Sequence, residues 1–400
     1  MKIAMFSDNF YPEMSGISDS IVATAKGLAS HGHKVNFYVP SHPKKNFLIS
    51  KLEPKELDLG SNIEIFRIPS LLFPGAPTKA GRAVLPFLFT YRHIKKFKPD
   101  FIHVHHNFGA GFEALMVSRL LGIPLIGTNH TPMSEFMKYS PIKNKWAEKA
   151  MLKYVSWFYN KCLWVSSPSQ AILSEMRHYG FHQSGFAVSN PVNVSDFNPV
   201  NEIKKLELKN KFRLTSKTVL YTGRLAEEKK ISDIIRAIAI VQKKYSDISF
   251  AITGHGNAEE KLKKLVIDLK LEDNVKFFGY VDWNEFPKLY QACDIFAVMS
   301  TAETQCISMM QAMATGIPVI GANAWGIPEY ISPECGYVVE PGDYKALADK
   351  IIYLFDHSKE MKKMGQGGIE HVKNFSEENI MLKWEKIYQE QLEKIKSEVK

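Results

Sequence analysis

Residues 294–329, DIFAVMSTAETQCISMMQAMATGIPVIGANAWGIPE, set a carboxylate, Glu303, at the mouth of a polar turn, with Gln311 eight residues on. The first N–H groups of a helix have no intrahelical partner, so a helix entered from this turn can hold an anion at its start. A second group, Gly223-Arg224-Leu225-Ala226-Glu227-Glu228-Lys229, combines a planar guanidinium fork with a compact ammonium charge. The bland alternatives are an αβ turn with a solvated glutamate and an exposed, charged helix start. His130 lies just past an apolar run, 125–128, at the position where open α/β sheets place ligands. His103, His105 and His106 form an H-x-H-H segment that could suggest a metal, yet no carboxylate or cysteine stands at a matching spacing. Gly254-His255-Gly256 is a glycine turn after another apolar run, weak by itself.

The elements that must position these groups alternate strand and helix. Strands are expected at 2–6, 35–39, 101–104, 125–128, 163–166, 187–189, 218–222, 250–253, 275–281, 294–298 and 319–321. Helices are expected at 21–30, 109–121, 143–160, 307–315 and 377–395, with residues 7–18 a loop containing Gly16. Ser or Thr oxygens of Ser300–Thr304 can cap the helix that follows, and Gly316-Ile317-Pro318 closes it. Such an order builds doubly wound parallel sheets. In 143–160, Trp146, Ala150, Met151, Tyr154 and Phe158 recur at helical spacing among Lys143, Lys145, Lys149 and Lys153, and packing against the domain is the expected use of that stripe.

Glu303, seven residues, Gln311 and then A-M-A-T-G-I-P-V-I resemble the donor-binding motif of retaining GT-B glycosyltransferases of family 4. G-R-L-A-E-E-K at 223–229, T-N-H-T at 128–131 and N-P-V-N…F-N-P at 190–199 follow the same family pattern in order. The resemblance implies an α/β fold of two facing Rossmann-like domains with a cleft between them. Residues 1–190 would bind acceptor, 191–376 would bind a nucleotide-diphosphate sugar, and the last helix would cross back onto the first domain. It implies that Glu303 orients the donor sugar, His130 lines the reaction centre, and Arg224 and Lys229 stabilise the departing diphosphate. The implied donor contacts are Gly16, Gly254, His255, Tyr280, Val281, Thr304, Gln305, Cys306, Ile307 and Gln311. This chain departs from the family pattern at four points: Ser15-Gly16 keeps one glycine of the usual pair, Gln311 replaces a glutamate, Lys230 stands where glycine is common, and Pro191 replaces a glycine.

Composition narrows the partners. Residues 1–200 carry 22 Lys+Arg against 13 Asp+Glu, whereas residues 201–400 carry 29 of each, so the whole +9 lies in the first half. That bias suits an anionic partner such as a membrane surface. Arg92, Lys95, Lys96 and Lys98 follow Leu85-Pro86-Phe87-Leu88-Phe89, a pattern fitting either a membrane interface or a solvated helix face. Four cysteines without metal-like spacing suit a cytoplasmic protein, and no apolar run approaches the length of a spanning helix. No D-x-D is present, so neither a metal nor another cofactor is expected, and no paired catalytic carboxylates suggest a glycosidase. No nucleic-acid-binding motif accompanies the basic charge. SDNFYPEMSGISDSI, TNHT and Glu303-Thr304-Gln305 are similar to bacterial synthases that glycosylate diacylglycerol. A lipid acceptor and a UDP-sugar are therefore the first expectation, with a GDP-sugar as the other donor. A soluble sugar or polysaccharide acceptor, and a nucleotide-sugar-binding protein without turnover, are the alternatives.

Overall fold

A computed structural model describes residues 1–13, 15–49, 53–72, 81–137 and 144–398. Met14 of the first loop and Lys143 of the basic helix lie outside the described residues. The strands are β1 (Lys2–Phe6), β2 (Lys34–Pro40), β3 (Ile63–Ile68), β4 (Ser70–Leu72), β5 (Arg82–Val84), β6 (Phe101–Val104), β7 (Leu125–Thr128) and β8 (Trp164–Ser166). After them come β9 (Thr218–Thr222), β10 (Ser249–Thr253), β11 (Val275–Gly279), β12 (Ile295–Val298), β13 (Val319–Ala322) and β14 (Gly336–Val339). The chain divides into two units, Met1–Pro191 with Glu377–Lys400, and Val192–Ser376.

The first unit holds a parallel sheet in the order β3-β2-β1-β6-β7-β8. Its inner strands are apolar runs buried on both faces, as helix-covered parallel strands must be. The expected strand 187–189 is reduced to a single bridge, Ser167 to Ala187. The first helix begins at Gly16, earlier than its apolar periodicity suggests, because Ser15 and Ser18 form a reciprocal cap. The Ser18 N–H donates to Ser15 Oγ (3.1 Å) and the Ser15 N–H donates to Ser18 Oγ (2.9 Å). The final helix, Glu377–Glu398, buries Ile380, Met381, Trp384, Ile387 and Tyr388 in the core of this unit. Gly27 makes room for it, since a Cβ there would meet Met381 Cγ at 2.8 Å.

The helix Lys145–Tyr159 corrects the expected stripe. Leu152, Val155, Phe158 and Tyr159 are buried and Tyr154 stacks on Phe112, but Trp146 is 76% exposed and Ala150 is exposed. Trp146 shares the outward side with Lys145, Lys149 and Lys153.

The second unit repeats the architecture in the order β11-β10-β9-β12-β13-β14, all parallel. The chain turns outward in opposite directions from β9 and β12, so the crevice at their carboxyl ends is the ligand position of such a sheet. In the first unit β1 and β6 have the same relationship.

Candidate active site

Three loops at the carboxyl edge of the second sheet are laced together by backbone. The Gly223 N–H donates to Thr253 O (3.2 Å), the Leu225 N–H to His255 O (3.0 Å), and the Gly254 N–H to Gly279 O (2.8 Å). Gly254 cannot carry a side chain, because a Cβ would lie 2.0 Å from Gly223 O. The glycines near Arg224 and His255 are therefore a packing requirement of the loop that presents the cations.

Arg224 is 56% exposed at its side chain and is anchored by Glu228, whose Oε1 accepts from Nη2 at 2.8 Å. Lys229 ends a 3₁₀ turn, Glu227–Lys229, and its Nζ donates to Glu303 Oε1 at 2.6 Å. Burial lowers the Lys229 ammonium pKa, but the charge and hydrogen bond of Glu303 outweigh it, and the net shift is upward. Lys229 is thus a firm cation, and Glu303 has its carboxylate fixed against it. Lys230 adopts φ 50° and ψ 34°, the left-handed conformation that glycine takes more easily than lysine. Thr301 N–H donates to Glu228 O (2.9 Å) and Gly326 N–H to Glu303 O (2.9 Å), so the loop after β12 is tied to the loop after β9.

The helix Ile307–Ala314 starts differently from the sequence expectation. Its N-cap is Cys306 at φ 65°, a left-handed residue rather than the expected Ser or Thr, and its side chain makes no cap bond. Gln305 and Cys306 are buried, and burial followed by the Glu303 charge pushes the Cys306 thiol up to about 12. Thr304 and Ile307 are half-buried at the same turn. Gln311 Oε1 accepts from the Tyr290 hydroxyl (3.1 Å), which also bonds Thr222 Oγ1 (2.6 Å). His255 lies between Glu259 Oε2 (Nδ1, 3.1 Å) and the Tyr280 N–H (Nε2, 3.2 Å), with Tyr280 74% exposed and Val281 half-buried beside it.

His130 and Gly16 belong to the first unit. Gly16 is the first residue of its helix rather than a loop residue, so it contributes a helix-start N–H. His130 Nε2 lies 3.1 Å from His105 Nδ1, with the rings stacked at 5.4 Å. His103 Nδ1 meets the Tyr388 hydroxyl (2.7 Å) and its Nε2 meets Thr128 Oγ1 (2.8 Å). Burial, then the neighbouring imidazoles, holds His130 well below its ordinary pKa against an opposing Asn190 side chain. His130 is therefore a neutral hydrogen-bonding group. Among the described residues no three His, Cys, Asp or Glu side chains are grouped to hold a metal ion, and H-x-H-H serves this network.

The sequence missed Glu228 and Tyr290. Glu228 stands four residues after Arg224, the spacing of a helical ion pair, and was legible on that ground. Tyr290 gave no such signal, since its meeting with Gln311 arises from two separate helices.

The model of Glycosyltransferase Family 4 matches residues 14–196 and that of Glycosyl transferases group 1 matches residues 202–371. The chain is 27% identical over 329 residues to an alpha-monoglucosyldiacylglycerol synthase of Acholeplasma laidlawii, covering 80% of each chain. It is 24% identical over 349 residues to a GDP-mannose-dependent alpha-mannosyltransferase of Corynebacterium glutamicum, covering 86% of this chain and 78% of that one. Anabaena Alr3699/HepE, solved in complex with UDP, has the same fold at TM-score 0.78 and 18% identity, covering 98% of this chain and all of that one. With these two modules spanning most of its length, the chain belongs to the GT-B glycosyltransferases of family 4 and is a hexosyltransferase.

Proposed function

We propose that the protein transfers a hexose, with retention, from a UDP-sugar to the hydroxyl of a membrane lipid such as diacylglycerol. The observation that carries the donor half is the Lys229–Glu303 pair beside Arg224 at the crevice of the second sheet. Arg224, Lys229 and the helix start at Ile307 offer positive charge to a diphosphate, and Glu303 offers a fixed carboxylate to sugar hydroxyls. The acceptor oxygen bonds to the anomeric carbon on the face from which the diphosphate departs. Its proton leaves with that diphosphate, and His130, neutral, supports the reacting centre by hydrogen bonding. The sequence carries no D-x-D, and the cations above take the role a bridging metal would have.

The lipid half is supported by the relatives named alpha-monoglucosyldiacylglycerol synthase and by the surface of the first unit. Buried Glu113 accepts from the N–H groups of Leu88 (2.9 Å) and Thr90 (2.8 Å), clamping a loop on which Phe87 is 68% and Phe89 42% exposed. The basic helix Tyr91–Phe97 follows directly. Aromatic side chains held outward beside lysines suit peripheral binding at the cytoplasmic face of an anionic membrane. Among the described residues no helix is long and apolar enough to cross one.

Transfer assays should pair UDP-glucose and GDP-mannose with diacylglycerol in mixed micelles and with a soluble glycoside, reading the product anomer by NMR. An α-linked glycolipid from UDP-glucose is expected. Turnover only on the soluble glycoside, or donor binding without turnover, would overturn the lipid reading or the enzymatic one respectively.

A further inference from the structure

The two faces of the first sheet are unlike at its amino edge. Ile3, Met5, Val35, Phe37 and Ile63 pack with Ile21, Leu28 and the last helix. Side chains alternate along a strand, so Lys2, Lys34, Asn36 and Glu64 share the other face. Farther along that face Phe6 stacks on Tyr38, and Tyr38 and Phe66 meet His93 of the helix Tyr91–Phe97. Between this helix and the amino ends of the strands lies an open cavity of about 280 Å³, lined by Lys2, Lys34, Asn36, Glu64, His93 and Lys96 among others. It stands at the opposite edge of the sheet from His130, which follows the carboxyl end of β7.

A helix-covered parallel strand is ordinarily apolar on both faces, yet Asn36, inside β2, is a polar residue only 3% exposed. Its Nδ2 donates to Glu64 Oε2 at 3.1 Å, across a pair that β2 and β3 set in register. The Tyr38 hydroxyl lies 2.8 Å from His93 Nδ1, which leaves Nε2 as the ring nitrogen for a ligand. Lys2 and Lys34 are themselves register partners, so two ammonium stems leave the sheet side by side and their like charges repel. The Lys2 Nζ donates to Phe97 O at 3.1 Å, and the Lys2 backbone N–H donates to Asp100 Oδ2 at 2.7 Å. Among the described residues no carboxylate forms an ion pair with the ammonium of Lys2, Lys34 or Lys96.

Three ammonium groups against the one carboxylate of Glu64 leave the cavity with a double positive charge. A phosphate monoester matches it, carrying about −1.5 to −2 at neutral pH and three strong acceptor oxygens. The cavity is also smaller than the sites that take drug-sized ligands, which suits a compact anion. We propose that this cavity binds a small phosphate monoester, with Lys2, Lys34 and Lys96 around the phosphate. Glu64, fixed by Asn36, accepts from a hydroxyl of the ligand, so a polyol phosphate is favoured over a bare inorganic anion. The same chemistry can arrive free in solution or as the head group of a lipid. The site is separate from the donor crevice and does not depend on which acceptor the protein uses.

Calorimetry with glycerol 3-phosphate, at fixed ionic strength and with UDP present to fill the donor crevice, reads the soluble arm. Co-sedimentation with phosphatidylcholine vesicles, with and without lysophosphatidic acid, reads the lipid arm. Saturable binding is expected in at least one arm. Lys34→Gln combined with Lys96→Gln should weaken it about tenfold, as for two charges that solvent partly screens, with the thermal midpoint unchanged. Glu64→Gln should narrow the preference for glycerol 3-phosphate over sulfate. Binding in the soluble arm alone would assign a free ester, and binding in the lipid arm alone a head group. The lysine variants locate the ligand even if UDP itself does not bind. Binding in neither arm, heat that follows ionic strength alone, an unchanged affinity in the double variant, or sulfate bound as tightly as glycerol 3-phosphate would each overturn the proposal.

Discussion

At the residue scale the cations of the second unit differ in how they are held. Lys229 is a half-buried partner of Glu303, whereas Arg224 reaches solvent from a Glu228 anchor. Lys229→Ala and Arg224→Ala should each cost about 2–4 kcal/mol of transition-state stabilisation, as preorganised charges at a leaving group do. Lys229→Ala should show the larger loss, since it also leaves Glu303 without its partner. Steady-state kinetics would check this, and wild-type kcat/KM in both variants would remove them from the diphosphate site. Activity should persist in excess chelator; loss restored only by added divalent metal would contradict the metal-free assignment. Gln311→Glu should tighten donor binding by about 1 kcal/mol through a charge-assisted bond to ribose, with one oxygen still available to Tyr290. Weaker binding by calorimetry would mean that the carboxamide is fitted to another contact.

At the element scale the question is what the clamped loop and the basic helix do. Each lysine near an anionic surface contributes roughly 1 kcal/mol, screened by salt over about a Debye length. Replacing Lys95, Lys96 and Lys98 with glutamine should release the protein from anionic vesicles, leaving donor binding intact. Phe87→Ser with Phe89→Ser should weaken vesicle binding in a way that salt does not alter, because the apolar part is not screened. Co-sedimentation at two salt concentrations separates the two contributions. A wild type that ignores anionic vesicles at low salt would leave both elements as ordinary solvated surface.

At the scale of the whole molecule, the histidine network makes the first unit sensitive to acid. Burial holds His103 at about 3 and His106 at about 4, below the ordinary 6.5. The unfolded chain therefore binds more protons than the folded one as pH falls below 6.5, and stability is lost progressively down through those values. Asp8 works the other way between 3.8 and about 6, since its raised carboxyl takes up a proton in the folded state first. In the same unit His42, His105 and His130 are also held below their ordinary range, and the Asp19 and Glu175 carboxyls are also raised; with five imidazoles against three carboxyls, the net direction is destabilisation as pH falls. Thermal midpoints followed by circular dichroism should fall between pH 7 and pH 4.5. A flat profile would show that these imidazoles are not desolvated in solution.

The sequence by itself determined the α/β order of elements and the positions of Glu303, Lys229 and Arg224, because apolar runs and glycine turns are local signals read one segment at a time. It also indicated the last helix, whose Trp384 and Tyr388 fall on one apolar stripe. Only tertiary structure decided what those side chains meet. Trp146 and buried Phe158 stand about 120° apart around the helix, because a spacing of four drifts by about 40° at each step, and Trp146 therefore shares the outward side with Lys145, Lys149 and Lys153. Ser15 moved a helix start to Gly16 through a pair of hydroxyls, and Cys306 took the cap position that Ser and Thr were expected to fill. The bond of Gln311 with Tyr290 and the His103–Tyr388 contact across 285 residues both depend on side chains from separate elements. Periodicity carries no information about such meetings, since they are fixed by sheet order and packing distance rather than by spacing along the chain.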